Sequence, residues 1–454
     1  MTKVVKLKKG LDISLVGRAE KVLEPLKESG IYALIPDDFH GVTPKMLVQV
    51  GDKVKAGSAV FFDKYRPNLI FTSPVSGTVE AVNRGEKRKI MSITITTDRN
   101  HDYERFEVSG FAKMSPEQIK AQMLAAGLWP MIIQRPYGII ADEKDTPRSI
   151  HISLFDSAPL GVDMNYILEN SADDFAKGIE VLNKLTNGGI HFGASPATSS
   201  QVMTIAGNVG EVTIFEGKHP AGLVGVQINN THPINKGEVV WTIDAQNVAI
   251  IGRFFENGIV DMTRIVATCG SEVEKPHYHR IIMGASVASI LGNNIKPQAD
   301  GGKVRIISGN VLTGIKTSKD GYLSFYNNQL TVIPEGDKYE FLGWIAPRPN
   351  KFSFSKSYFS WLTPGKSYRL DTNTNGDERA YVMTGQYEEV FPMDIYPVYL
   401  IKAILAKDID KMENLGIYEV TEEDFALCEF VCTSKIPVQK IIREGIDLMI
   451  KELN

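Results

Sequence analysis

The chain has 454 residues, which at ~100–200 residues per domain predicts three or four domains. Fifty Lys and Arg against 54 Asp and Glu leave a net charge of −4, without the basic excess of a nucleic-acid binder. Three cysteines (Cys269, Cys428 and Cys432) speak against a disulfide framework, and no run of roughly 20 apolar residues offers a membrane span.

Met1–Leu7 carries lysines but no apolar core of signal-peptide length, so no export signal is read there. Any membrane role is expected to come through partners. The first hundred residues read as β structure. Val48–Gly57 and Phe71–Val82 alternate apolar and polar residues, with glycines at the turns. These two half-motifs resemble the biotinyl/lipoyl carrier fold, a flattened β-sandwich. Carrier domains attach their cofactor to a hairpin-tip lysine. Lys64 is the nearest equivalent, but Phe62–Pro67 lacks the Met-Lys-Met context of a modified lysine. It is read as an ordinary surface lysine, with no covalently bound cofactor.

Ser115-Pro-Glu-Gln118 is a capping box with Pro at the first helical position, and Ile119, Met123 and Ala126 follow at helical spacing up to Gly127. Trp129–Pro136 is read as a loop. Ser149–Phe155 alternates like a strand, and Ser171–Asp174 caps a helix carrying Phe175, Ile179 and Leu182 on one face. Gly189–Phe192, Val212–Phe215 and Asn247–Gly252 are read as further strands. Strands alternating with capped helices predict an α/β layer domain. Arg264–Gly270 and Lys303–Gly309 are strand-like, with a short helix at Gly284–Leu291. Together they suit a small β-grasp domain, followed by a second β-rich stretch from Tyr322 to Ser360. The end of the chain is helical. Pro397, Thr421–Asp424 and Pro437 each open a helix, and the last carries Ile442, Ile446, Met449 and Leu453 on one face.

Several strings, taken in this order, resemble the family of the large soluble A-type subunit of sodium-translocating NADH:quinone reductases. They are Lys8–Asp12, the carrier-like half-motifs, Asn83–Arg88, Gly217–Gly225, Arg305–Gly314, Lys351–Ser355, Thr372–Gly376 and Leu427–Cys432. The family is similar in turn to the flavoprotein subunit of complex I and to the C-type subunit of Rnf complexes. The resemblance implies an α+β multidomain chain: a biotinyl/lipoyl-carrier-like domain at 1–100, a Rossmann-like α/β domain at 101–255, a β-grasp (SLBB-like) and β-rich region at 256–380, and a helical domain at 381–454. It implies a peripheral subunit on the cytoplasmic face of the bacterial inner membrane. That protein would dock on the membrane subunits, the B-type membrane subunit above all, and contribute to quinone (ubiquinone) binding. NADH, FAD, FMN and Fe-S chemistry would then be handled by partner subunits, and the isolated chain would be catalytically inactive.

The alternative within that lineage is a soluble NADH:flavin oxidoreductase. The α/β region holds no G-x-G-x-x-G loop, and Asn187–Ser195 and Gly217–Gly222 lack the spacing that brings backbone amides against a phosphate. Cys428 and Cys432 share one helix face but are two thiols where a cluster needs four ligands, so they are read as buried hydrophobes. His277 and His279 alternate onto one strand face, with no carboxylate motif to complete a metal site. A quinone needs an apolar slot with a few polar groups. Two aromatic segments with interleaved cations offer one: Trp129, Arg135 and Tyr137 in the first, Trp344, Lys351, Phe352 and Phe354 in the second. Either segment also suits docking on a membrane subunit. The purified chain is expected to show the unmodified intact mass; a biotinyl or lipoyl increment on Lys64 would overturn the non-carrier reading.

Overall fold

A computed structural model describes residues 3–108, 110–298, 302–337 and 348–453. The N-terminal β unit has two antiparallel sheets. One orders Ile31–Leu34, Ile90–Thr97, Gly77–Arg84 and Lys53–Val54; the other orders Pro44–Met46, Ala59–Asp63 and Arg66–Thr72. Between them Phe61 and Phe71 stack with ring centroids 4.4 Å apart. Val60, Leu69, Val79, Ile93 and Ile95 complete this part of the core. Lys64 and Tyr65 form the exposed tip of the second sheet's hairpin, where Asp63 pairs with Arg66. Only Lys53–Val54 of Val48–Gly57 is a strand, because Gly51 and Gly57 turn the chain at positive φ on either side.

The expectation that residues 1–100 form one β unit is corrected at its start. Lys3–Lys6 runs parallel to Glu211–Glu216 in the α/β sheet, and Glu20–Glu24 runs parallel to His277–Ile282 in a fourth sheet. A strand pairs where an edge is free, whatever its place in the chain.

The α/β sheet has seven strands. Lys3–Lys6, Glu211–Glu216, Ile190–Ala194, Ile150–Ser153 and Val240–Thr242 are parallel, and Ile133–Arg135 and Ile139–Ile140 continue it antiparallel. Two readings are corrected here. Trp129–Pro136 is a buried 3-10 turn followed by the strand Ile133–Arg135, which Pro136 ends by offering no N–H. Asn247–Gly252 lies inside the helix Ala245–Asn257, capped by the Asp244 carboxylate. An apolar run buried on all sides does not distinguish strand from helix by periodicity.

The Ser115 capping box forms as read: Ser115 Oγ accepts from the Gln118 amide, and Gln118 Oε1 accepts from the Ser115 amide at 2.8 Å. The helix Ala172–Asn183 crosses Ala245–Asn257 through Gly178 and Gly252. A Cβ on Gly252 would strike the Asp174 carbonyl, and one on Gly178 the Val248 carbonyl.

The fourth sheet is mixed, ordered Ile315–Thr317, Val304–Ser308, Gln329–Pro334, Thr263–Cys269, His277–Ile282 and Glu20–Glu24. Of the β-rich stretch read at Tyr322–Ser360, only Gln329–Pro334 is a strand among the described residues. Phe352 lays its ring against Tyr368 and Phe430 instead of pairing in a sheet. The C-terminal unit packs Pro397–Leu405, Ala426–Val431 and Val438–Leu453 around Leu400, Ile404, Ile442, Ile446 and Met449. Leu11 and Ile13 from the far end of the chain join that core. Among the described residues no helix is long and apolar enough to cross a membrane.

Gly252→Ala is expected to destabilise the protein by about 1–3 kcal/mol through overpacking, against the ~1 kcal/mol gain that helix propensity alone predicts. Urea unfolding of the two proteins measures the sign.

Candidate functional site

The units meet around one cleft of about 540 Å³. Ser153 and Thr242, the last residues of two parallel strands, open onto it, as do Phe155, Asp156, Ile243 and Asp244 just beyond them. The carboxyl ends of parallel strands are where an open α/β sheet leaves a crevice, because successive chain connections diverge there. Asp38 of the β unit, Tyr326–Gln329 leading into the strand Gln329–Pro334 of the mixed sheet, and Thr421–Glu423 of the helical unit supply further walls. Met131, Ile133, Ile139, Ile140, Val162 and Met164 make much of the lining apolar.

The rest of the lining is polar, and many of its groups are held by one another. Asp244 caps its helix through the Gln246 amide at 2.9 Å and accepts from Asn328 Nδ2 at 2.9 Å. Asn328 Oδ1 in turn accepts from Gln246 Nε2 at 3.0 Å and from Arg264, whose guanidinium burial pulls down to about 10. Asn247, one residue further along, is buried on the cleft wall, and its Oδ1 has no hydrogen-bond partner among the described residues. Leaving such an oxygen unsatisfied costs ~1–3 kcal/mol, so it is the wall's natural acceptor for a ligand's hydrogen. Burial raises the Asp38 carboxyl to about 6, opposed by the hydrogen bond from the Phe325 amide at 2.8 Å. Burial also raises Asp156, against the Ala158 amide that it accepts from. Tyr326 donates to the Pro130 carbonyl at 2.7 Å, which fixes its ring beside the cleft.

The residues singled out from the sequence do not converge. Trp129 is fully buried, donates to the Ala141 carbonyl at 2.9 Å and meets Trp241 edge-on; it is a core residue and does not line the cleft. Arg135 does line it, but as a clamp. Its Nη1 donates to Asp424 Oδ2 at 2.9 Å, and its Nη2 to Thr421 Oγ1 at 3.0 Å and Glu423 Oε1 at 2.7 Å. Tyr137 packs beside Tyr418, and its carbonyl accepts from Arg443 at 2.8 Å. Lys351 donates to Asn375 at 2.6 Å and lies over the Tyr358 ring, while Phe352 and Phe354 pack on the helical core, away from the cleft. Trp344 lies outside the described residues. Asn247, Asp38 and Asp156 were not found by sequence reasoning. Their only signal was a position just beyond a strand or inside a capped helix, which many residues share.

Three further readings meet the geometry. His277 and His279 share one face, and the carboxylate not found in their neighbourhood of sequence comes from Glu24, at 3.5 and 3.3 Å. Lys27 occupies that carboxylate at 2.8 Å and, through its hydrogen bond, holds it at about 2, so the group is a salt-bridged cluster. Cys428 and Cys432 are buried, and burial drives the Cys428 thiol well above its usual range, as expected of packed neutral thiols. In the Gly217–Gly222 loop, Asp12 accepts from the His219 amide at 2.9 Å and Ser157 Oγ lies 3.0 Å from His219 Nδ1, so the loop is internally braced.

Fold and cleft together define a mixed α/β multidomain protein with a barrel-sandwich N-terminal unit, built around one ligand-sized inter-domain crevice. Residues 5–98 match the NqrA N-terminal barrel-sandwich hybrid domain, residues 114–260 the NqrA second alpha/beta domain and residues 265–319 the NQRA C-terminal domain, an SLBB unit. The A-type subunit of the Na(+)-translocating NADH-quinone reductase of Hahella chejuensis is 38% identical over 452 residues, covering 99% of this chain and 100% of its own. Those of Neisseria meningitidis serogroup C and Vibrio anguillarum are each 36% identical at the same coverage. The chain belongs to the NqrA family, the A-type subunits of the Na(+)-translocating NADH-quinone reductases. A solved NAD+-reducing [NiFe]-hydrogenase chain is similar over 68% of this chain and 56% of its own, with 11% identity and a TM-score of 0.32, a level that supports no functional comparison.

Arg135→Ala is expected to cost about 3–5 kcal/mol, because it strands the buried Asp424 carboxylate without its cation. Denaturant unfolding followed by near-UV circular dichroism measures it.

Proposed function

We propose that this chain, as the A-type subunit of a Na+-translocating NADH-quinone reductase, binds the quinone in the inter-domain cleft and docks on the membrane subunits of the complex. The observation that carries this reading is the cleft itself: an apolar strip through Met131, Ile133, Ile139, Ile140, Val162 and Met164 within a polar lining, a buried acceptor, Asn247 Oδ1, left unsatisfied among the described residues, and carboxyls whose pKa values burial has raised. A quinone ring needs an apolar slot and a few polar groups near its oxygens. Quinol hydroxyls donate, which suits an orphaned acceptor. Reduction to quinol also takes up two protons, and a carboxyl near 6 in Asp38 holds a proton into the range where delivery is useful.

The assignment replaces the aromatic slot read from the sequence. Of those residues Arg135 remains, as the clamp that keeps the cleft wall in place. Lys351, Phe352 and Phe354, with the exposed Phe359, Trp361 and Leu362 nearby in the chain, fit a docking role better than a ring-binding one. Exposed Tyr396 and Tyr399 at the start of the helix Pro397–Leu405 extend the apolar surface available to a partner. The B-type membrane subunit, met from the cytoplasmic side, is the partner this reading favours. NADH, FAD and FMN are assigned to the other subunits because the α/β region has no G-x-G-x-x-G loop, and iron–sulfur groups because three cysteines cannot form a cysteine quartet. The parallel strand order also favours a Rossmann-like origin for the α/β unit, with its crevice retained and its phosphate loop lost.

Fluorescence titration of a short-chain ubiquinone analogue against the purified chain, and against the complex, tests the site. Binding is expected to saturate at one equivalent. Ile139→Trp, which fills the cleft, is expected to weaken it about tenfold or more, equivalent to ~1.4 kcal/mol. Absence of saturable binding in both preparations removes the quinone assignment.

A further inference from the structure

The opposite end of the α/β sheet carries a second constellation. His151, His191 and Glu211 stand side by side in register on three adjacent parallel strands: His151 pairs with His191, and His191 with Glu211. All three lie at or next to the first residue of their strands, so they form a row along the amino edge of the sheet, away from the cleft. His232, which ends the helix Val224–Thr231, brings a third imidazole to the row. The His191 and His232 rings have centroids 4.1 Å apart, and the His151 ring stacks on His191 at 4.9 Å.

Among the described residues, two ring nitrogens in this group, His191 Nδ1 and His232 Nδ1, are buried without a hydrogen-bond partner. His191 Nδ1 lies 3.4 Å from Glu211 Oε2 without hydrogen-bond alignment. One donor atom from each of His191, Glu211 and His232 falls within 4.8 Å of the others. Ligands of a tetrahedral ion at ~2.0–2.2 Å stand roughly 3.3–3.6 Å apart; the His191–Glu211 pair is already at that spacing, and the other two pairs lie within 4.8 Å.

The geometry points to a transition-metal site of zinc type, with His191, His232 and Glu211 as ligands and a fourth position left to water. Two imidazoles and a carboxylate suit zinc, cobalt or nickel; calcium and magnesium prefer oxygen throughout. His151 backs the site rather than entering it, since its Nε2 is 2.9 Å from Ser149 Oγ. The cations facing the group are Lys3 and Arg148. Arg148 is engaged by Glu238 at 2.6 Å and donates to the His232 carbonyl at 2.7 Å, which braces the backbone of one ligand. The carboxyl end of the His232 helix adds a partial negative charge that favours a cation.

The ion would tie two strands to a helix whose first residue, Val224, lines the cleft at its other end. Occupancy would therefore brace one cleft wall from behind.

The test uses the full chain without a histidine tag, stripped with chelator, then titrated with Zn2+ against a chromophoric chelator and with Co2+ by visible absorption. One equivalent of Zn2+ is expected to bind, and the cobalt form should show the intense d–d bands of four-coordination. His232→Gln and Glu211→Gln should each weaken binding about tenfold or more without lowering the melting temperature of the stripped protein, while His277→Gln changes nothing. Glu211 is exposed enough that its variant decides the question if His232→Gln does not fold. No stoichiometric binding, equal competition by Mg2+, or an unchanged affinity in the variants that fold overturns the site.

Discussion

One buried guanidinium holds the architecture together. Arg135 sits at the end of a strand near the antiparallel edge of the α/β sheet, with only 3% of its side chain exposed, and spends its donors on Thr421, Glu423 and Asp424. Those three residues stand at the start of the 3-10 turn Glu422–Phe425 that leads into the helix Ala426–Val431 of the helical unit. Asp424 also accepts from the Thr421 amide at 2.9 Å, so one carboxylate serves a helix start and a domain contact together. Space for the clamp depends on Gly225, where a Cβ would strike both Arg135 and Asp424. A charge this deeply buried is tolerated only because its partners are fixed around it. Arg443 repeats the device at the rim, donating to the Tyr137 carbonyl and pairing with Glu422.

The clamp sets the cleft. Thr421–Glu423 form part of its wall, and the strand bearing Arg135 contributes Ile133 to the lining. Asn247 and Asp244 reach the cleft from the start of a helix that is itself locked against Ala172–Asn183 by two glycines. The cleft is therefore bounded by elements that have little freedom to move apart. The two ends of the parallel sheet then do different work. At the carboxyl end loops diverge and leave a crevice. At the amino end the strands begin in register and set a row of titratable groups beside one another.

Much of the local structure was legible. The Ser115 capping box, the prolines opening late helices and the apolar stripe through Ile442, Ile446 and Met449 act over one or two turns, and short-range physics decides them. The carrier-like half-motifs marked the hairpin that ends in Lys64–Tyr65. The site was not legible in the same way. Trp129 looked like a ligand-binding aromatic because an apolar indole in a supposed loop needs a reason; the reason is the core of the sheet beside Trp241. His277 lacked a visible carboxylate because Glu24 lies 253 residues away.

The amino-acid sequence by itself determined the family, the mixed α/β plan and the shortage of thiols for a cysteine-ligated cluster, because these rest on strings, periodicities and counts read along the chain. Tertiary structure alone decided where the first 24 residues pair, which polar atom is left unsatisfied on the cleft wall, and that His191, Glu211 and His232 face one another. Strand partners are chosen by free edges and buried area, and neither quantity exists until the chain has folded back on itself.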